Sequence, residues 1–302
     1  MTKFKAWVNA ARLRTLPLSV SGILVGTALA GYYGSYDGSI LFWSILTTIA
    51  FQITSNFAND YGDGVKGTDN EDRIGPKRAL QSGILGRKEL KNGIIISILI
   101  DIMLVLILVY QAFGLENIFY PLLFIFLGGL SIWAAIKYTV GNSAYGYRGL
   151  GDLFVFLFFG ILAVLGSMFL YTKEITVLSI LPAIAIGALS TGVLNLNNLR
   201  DFNSDSKANK KTMVVKMGLE KGKRYHYFLL LIAFVCVALF NFYAFKGFYI
   251  LLPLIAFIPV FIHLMKVYKI KRPELFDPEL KKLALSTFFL AVLLYVNCNI
   301  FL

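Results

Sequence analysis

Apolar runs of about twenty residues recur along this chain, and no other feature constrains its fold so strongly. A helix rising 1.5 Å per residue needs about 20 such residues to cross the hydrocarbon core of a bilayer. Nine runs can be read, at about 16–34, 39–58, 92–112, 118–137, 152–171, 176–197, 226–245, 247–267 and 283–301. With 57% hydrophobic and only 15% charged residues and a mean hydropathy of +0.70, a soluble globular domain is excluded.

Charge sorting tests that count. With the N-terminus in the cytoplasm, the inward segments hold Lys3, Lys5, Arg12 and Arg14, then seven Lys or Arg from Lys66 to Lys91. They continue with Lys137 and Arg148, eight from Arg200 to Arg224 and six from Lys266 to Lys282. That is 27 of the 29 basic residues, leaving Lys173 and Lys246 outside. Basic loops stay cytoplasmic, so we expect an all-α membrane protein of nine transmembrane helices, N-terminus cytoplasmic and C-terminus outside. Ala28-Leu29-Ala30 has the small residues of a signal-peptide cleavage site, but the apolar run continues to Tyr33 and its loss would leave an even number of spans. The net charge of +12 follows from topology and attraction to the lipid bilayer, and requires no nucleic acid. Cys236 and Cys298 fall inside spans without metal-ligand spacing and read as small apolar residues. His226 and His263 stand alone at span ends, where no special role is expected.

Polar residues break this pattern most sharply at NFANDYGDGVKGTD, residues 56–69, at the end of the second run. If the helix continues for two more turns, Asn56, Asp60 and Asp63 share one face. NLNNLRDFNSD offers a second copy, with Asn197, Asp201 and Asp205 at i, i+4 and i+8 on one stripe. A single acid at a span end is ordinarily a solvated interfacial residue. Matched stripes on two helices point instead to two halves of one divalent-metal site, because Mg²⁺ takes oxygen ligands and is commonly shared with substrate phosphates. Four spans separate the two stripes, which brings both to the same membrane face. Each is followed by a Lys-rich turn and an apolar piece ending in Gly, at Gln81-Ser82-Gly83 and Lys216-Met217-Gly218. We therefore expect one domain over 1–302 with a parallel pseudo-repeat, about 16–137 and 152–267, plus a final helix at 283–301.

Other segments carry weaker signals. Arg12 and Arg14 read as orientation signals. The loop from Lys66 to Lys91 is long for a compact bundle, and its Gly-Pro-Lys-Arg turn favours an ordered cap over the acids. Asp101 would be costly facing lipid and is expected to face the bundle near the inner surface. Tyr138, Tyr145, Tyr147 and Arg148 crowd a glycine-punctuated turn ahead of Phe154, Phe156, Phe158 and Phe159. An interfacial aromatic belt and a wall of ring faces beside a cation explain these equally well. The loop KIKRPELFDPELKK reads as a surface connection.

Crowded carboxylates require cations, Mg²⁺ in turn suits phosphate oxygens, and the neighbouring Lys and Arg suit a diphosphate. An apolar bundle below them can house a hydrocarbon chain. The substrate implied is a polyprenyl diphosphate, head among the acids and tail in the membrane.

The sequence resembles the UbiA-type intramembrane aromatic prenyltransferases over nearly its whole length. Asn59, Asp60 and Asp63 match that family's first motif, Asn-Asp-x-x-Asp-x-x-x-Asp, whose last position is Gly67 here with Asp69 two residues later. Asp201 and Asp205 match the second motif. RTLPLSVSGILVGTALA, NFANDYGDGVKGTDNEDRIGPKRALQSG and YGYRGLGDLFVFLFFG are similar to the branch acting on 1,4-dihydroxy-2-naphthoate in menaquinone synthesis. The resemblance implies a UbiA-type bundle in the cell inner membrane with its active site towards the cytoplasm. It also implies Mg²⁺ held by Asn56, Asp60, Asp63, Asp201 and Asp205, the four aspartates being catalytic. Substrate-binding candidates are Asn59, Lys66, Asp69, Arg78, Gln81, Tyr138, Tyr145, Arg148, Asn197, Asn198, Lys207 and Lys211. Diphosphate would depart to leave an allylic cation, shielded by aromatic faces. The naphthoate would attack at its carboxylated carbon, and CO₂ loss would restore aromaticity. Other aromatic acceptors, 4-hydroxybenzoate or homogentisate, remain alternatives, and a transporter is the rival from another class. Transporters place their acids near the midplane on broken helices, whereas these lie at the inner end.

Overall fold

A computed structural model describes residues 2–68, 74, 78–114 and 117–300, and these contain helices and no strands. Lipid offers no hydrogen-bond partner to a backbone group, so helices that satisfy their own N–H and C=O groups are the natural solution for such a sequence. The chain opens with α1, Lys3–Ala11, which ends where Arg12 takes a left-handed φ of 50°, and α2 follows over Leu16–Tyr32. Next come α3 (Gly38–Lys66), α4 (Arg87–Phe113), α5 (Phe119–Lys137), α6 (Gly151–Thr172) and α7 (Ile180–Arg200). Two short helices, α8 (Phe202–Lys207) and α9 (Met213–Met217), precede α10 (Leu219–Ala244) and α11 (Gly247–Lys269), whose first half consists of 3₁₀ turns. The last helix is α12, Asp277–Asn299.

Eight helical segments among the described residues are long and apolar enough to cross a membrane, counting Lys3–Tyr32 as one. The sequence reading has nine. The difference is α12, which covers the ninth run but carries Asp277, Glu279, Lys281 and Lys282 in its first turns and Asn297 and Asn299 at its far end. It packs along α2 and α7 and buries Leu283, Leu290, Ala291 and Leu294 in the main core.

Small residues set the closest helix contacts, as expected where lipid tails are as apolar as the core. Gly22 and Gly26 put one face of α2 directly on α6: a Cβ at Gly26 would lie 2.5 Å from the Val164 carbonyl oxygen. Gly160 of α6 meets Gly187 of α7 so closely that an added Cβ would sit 2.4 Å from its Cα. Between these contacts, Phe156–Gly166 is wound as a π-helix. Such wide turns are rare and are found mostly at functional sites.

Inside the bundle is a cavity of about 360 Å³, bounded by α2, α3, α4, α5 and α6. Its walls are mainly aliphatic and aromatic, with Ile23, Phe51, Val105, Phe124, Phe158 and Leu162 among them. At one end it reaches Asn59 and Tyr138, and the polar cluster begins there.

Candidate active site

Helix α3 runs unbroken through the first acidic stripe, so Asn56, Asp60 and Asp63 share a face; each is buried. Asn56 anchors the chain's start to this helix, its Nδ2 donating to the Ala11 carbonyl at 2.8 Å and to Thr15 Oγ1 at 3.3 Å. Asp60 receives the Arg12 guanidinium, the Ala79 backbone N–H at 3.3 Å and Arg78 Nη1 at 3.4 Å. Asp63 accepts from the Tyr147 hydroxyl at 2.7 Å, and Thr68 Oγ1 lies 2.5 Å from that same hydroxyl.

The second stripe differs from the expected single helix. Helix α7 ends at Arg200, Asp201 takes φ −91° and ψ 9°, and α8 starts afresh at Phe202. Polar side chains that compete with the backbone ladder explain the break. Arg200 donates to both oxygens of Asp201 at 2.7 Å, to Asn197 Oδ1 at 2.6 Å and to Asp277 Oδ1 at 2.6 Å. Ser204 Oγ donates back to the Asp201 carbonyl at 2.9 Å. The KIKRPELFDPELKK segment is therefore more than a surface connection, because its Asp277 ties the start of α12 to the second acidic site.

Lys210 joins the two stripes. Its ammonium lies 3.9 Å from Asp63 Oδ2 and 3.8 Å from Asp205 Oδ1, and 5.4 Å from the centroid of the Tyr147 ring. Lys66 sits on that ring at 3.9 Å. Burial alone would lower the Lys210 pKa, but the facing charges of Asp63 and Asp205 outweigh it and raise it. Burial pushes the Asp205 carboxyl up to about 6, opposed by Lys210. A carboxylate pair from opposite halves of the chain thus closes on one cationic point.

Beside that point begins a wall of rings. Tyr138 meets Tyr145 edge-on at 5.4 Å, Tyr145 stacks on Phe154 at 3.9 Å, and Phe154 is parallel to Phe158 at 6.0 Å. All four line the cavity. The Tyr145 hydroxyl donates to the Ala134 carbonyl at 2.8 Å, and burial pushes the Tyr138 hydroxyl up to about 12. Tyr138 is therefore neutral and Tyr145 held in place, and both rings line the space that leads from the carboxylates into the bundle.

The remaining sequence candidates are placed as follows. Asn59 accepts from Thr139 Oγ1 at 3.3 Å at the cavity's polar end, and Gln81 accepts from the Arg78 backbone N–H at 3.1 Å. Asn198 is buried one residue beyond Asn197. Arg148, Lys207 and Lys211 are exposed, and Lys211 reaches the aromatic turn only through its backbone N–H, 3.1 Å from the Tyr147 carbonyl. Asp69 lies outside the described residues, as do the other residues of the expected cap at 70–73 and 75–77, the Gly-Pro-Lys of its turn among them. Asp101 is buried and accepts from Thr54 Oγ1 at 2.6 Å, facing the bundle as expected. The histidines do not stand alone: His226 Nε2 and His263 Nε2 are 2.9 Å apart.

Sequence reasoning missed Arg12, Tyr147, Arg200 and Lys210 as site residues. Arg12 reads from the sequence chiefly as an orientation signal, with contact to an anionic substrate the lesser reading, yet the left-handed turn at its own position brings it onto Asp60. Lys210 sits in the same basic turn as Lys207 and Lys211, immediately after the left-handed Asn209, φ 58°, and it is the lysine placed between Asp63 and Asp205.

A hard dication fits this donor set. Asp60, Asp63, Asp201 and Asp205 are buried oxygen donors without competing sulfur or imidazole, the ligand type that Mg²⁺ prefers. Among the described residues no three acids, histidines or cysteines are grouped as a metal site; Asp63 and Asp205 meet on Lys210, while Asp60 is held by Arg12 and Asp201 by Arg200. Lys210 shows that the space between Asp63 and Asp205 accommodates positive charge.

The UbiA prenyltransferase family profile matches residues 19–296. The chain is 47% identical over 244 residues to the 1,4-dihydroxy-2-naphthoate octaprenyltransferase of Escherichia coli (strain K12), covering 81% of this chain and 79% of that one. To the protein of the same name from Mycobacterium tuberculosis it is 34% identical over 233 residues, 77% of each chain. Among solved structures, a UbiA homolog from Archaeoglobus fulgidus bound to GPP and Mg²⁺ superposes with a TM-score of 0.61 at 14% identity, covering 94% of this chain and 99% of that one. A structure described for digeranylgeranylglyceryl phosphate synthase gives 0.61 at 19% identity, covering 99% of both. At such identities the likeness shows the fold alone.

Proposed function

Since the chain belongs to the UbiA prenyltransferase family, we propose that it transfers a polyprenyl group from a polyprenyl diphosphate to 1,4-dihydroxy-2-naphthoate with loss of CO₂. The product is demethylmenaquinone, a step of menaquinone synthesis. The acceptor is supported by the 47% identity to a 1,4-dihydroxy-2-naphthoate octaprenyltransferase across most of both chains. The observation that carries the chemistry is the meeting of Asp63 and Asp205 on one cationic point at the mouth of an apolar, ring-lined cavity.

Asp60, Asp63, Asp201 and Asp205 would hold Mg²⁺, with Asn56 and Asn197 or Asn198 alongside. When bound, Mg²⁺ neutralises the diphosphate and stabilises the charge that develops as it leaves. Arg12, Arg78 and Lys210 neutralise the aspartates in the protein alone, and would offer their charges to phosphate oxygens or to the acceptor's carboxylate once those acids were otherwise paired. Tyr138, Tyr145, Phe154 and Phe158 present ring faces to an allylic cation and keep water from it. The prenyl tail occupies the cavity beyond them. Nine spans, a cytoplasmic N-terminus and a site opening to the cytoplasm complete the proposal, with α12 as the ninth span and the acidic stripes as halves of a parallel repeat.

Membranes holding the protein, given labelled prenyl diphosphate and each of 1,4-dihydroxy-2-naphthoate, 4-hydroxybenzoate and homogentisate, test this directly. Product from the naphthoate alone, abolished by EDTA, is the expected result. Metal-independent turnover, or a preference for another acceptor, would refute it.

A further inference from the structure

A second cavity, also about 360 Å³, opens on the outer surface between α11 and α12, away from the aspartates and the rings. Its composition changes with depth. Lys266, near the end of α11, and Lys282, in the second turn of α12, line it together with the buried Ser286. Pro259 lies seven residues before Lys266 and Phe289 seven residues after Lys282, on antiparallel neighbours, so both fall about 10 Å deeper along the helix axes. Leu285 lines the space between. The groove is thus cationic at its mouth and apolar below. The mouth lies towards the same end of the bundle as the aspartates, because Asp277, five residues before Lys282, pairs with Arg200 at 2.6 Å.

The groove is also held open in advance. Glu279 Oε2 lies 2.8 Å from His263 Nδ1, and its other oxygen receives Lys282, which clamps α12 to α11. His263 is braced from behind by His226 at 2.9 Å, and Ser286 Oγ donates to the Lys282 carbonyl at 2.9 Å. Glu279 pairs with Lys282, and no acid among the described residues pairs with Lys266, so the mouth keeps a net positive charge.

We propose that this groove binds one anionic phospholipid, its phosphate at Lys266 and Lys282 and an acyl chain along Leu285, Pro259 and Phe289. Charge complementarity at headgroup depth and an apolar floor at hydrocarbon depth select that occupant over a free anion or a neutral lipid. None of the residues belongs to the proposed prenyl-transfer site, so the proposal stands independently of that reaction.

Native mass spectrometry of the full chain, purified in detergent and exposed to equimolar phosphatidylglycerol and phosphatidylcholine, provides the test. The expected result is one retained phosphatidylglycerol in preference to phosphatidylcholine, undisturbed by millimolar inorganic phosphate. Lys266→Gln, at an exposed position that does not carry the clamp, should weaken retention by about fivefold, the worth of one lysine near an anionic surface. Lys282→Gln should do at least as much, while Lys221→Gln, on another helix, should leave it unchanged. Equal retention of both lipids, displacement by inorganic phosphate, no effect of Lys266→Gln, or an equal loss in Lys221→Gln would each overturn the proposal.

Discussion

At the scale of single residues, the site is a set of ion pairs between carboxylates and cations. Tyr147 holds Asp63 through one hydrogen bond while its ring supports Lys66. Tyr147→Phe keeps the ring and removes the donor, so kcat/KM should fall about tenfold, the usual worth of a hydrogen bond to a charged group. Asp205 gives a pH signature. Burial raises its pKa to about 6, above the usual carboxylate value of 3.8. The folded protein then binds more protons than the unfolded chain between those values, so this group's contribution to metal-free stability falls as pH rises from about 4 to 6. Metal binding requires the ionised form. The Mg²⁺ concentration for half-maximal rate should therefore rise about tenfold per pH unit below about 6 and level off above it, as steady-state titrations at several pH values would reveal. The aspartates themselves were legible in the sequence as candidates, because matched acidic stripes at the ends of two apolar runs exceed what solvated interfacial residues account for. Arg12, Arg200 and Lys210 were not, because a left-handed turn at Arg12 itself, a helix break at Asp201 and a left-handed Asn209 bear on where these basic side chains point.

At the scale of elements, helix length came through clearly and helix ends did not. The expected run at 152–171 corresponds to Gly151–Thr172, since hydropathy reports directly on lipid contact. Helix α3 instead runs past its apolar stretch to Lys66, and α7 stops inside its polar stripe at Arg200, because tertiary partners, not hydropathy, set those boundaries. The pairing of His226 with His263 is not legible in the sequence for the same reason: residues 37 apart meet only once α10 and α11 have packed. Helix contacts also predict sensitivity. Gly160→Ala would drive a methyl group into Gly187 and the Ala183 carbonyl, 2.4 and 2.7 Å away. Overpacking of this kind costs about 1–3 kcal/mol, so the variant should unfold at lower temperature in detergent, whereas Gly129→Ala, with nothing within 4 Å, should not.

At the scale of the molecule, the charge distribution and the site's location make one statement: the basic loops and the acids share a face. Single cysteines placed at Lys207 and at Lys246 in a Cys236→Ser, Cys298→Ser background should label from opposite sides of sealed vesicles, with position 207 reached from the cytoplasmic side. The central claim is that acids from two distant stretches of sequence act on a single cation. Groups acting as one unit are not additive. The most direct measurement is prenyl transfer to 1,4-dihydroxy-2-naphthoate by Asp63→Asn, by Asp205→Asn and by the double variant, each confirmed as folded. The account predicts that each single change lowers kcat by about a hundredfold or more and that the double change is scarcely worse than either. Losses that multiply, or full activity in either single variant, would contradict it.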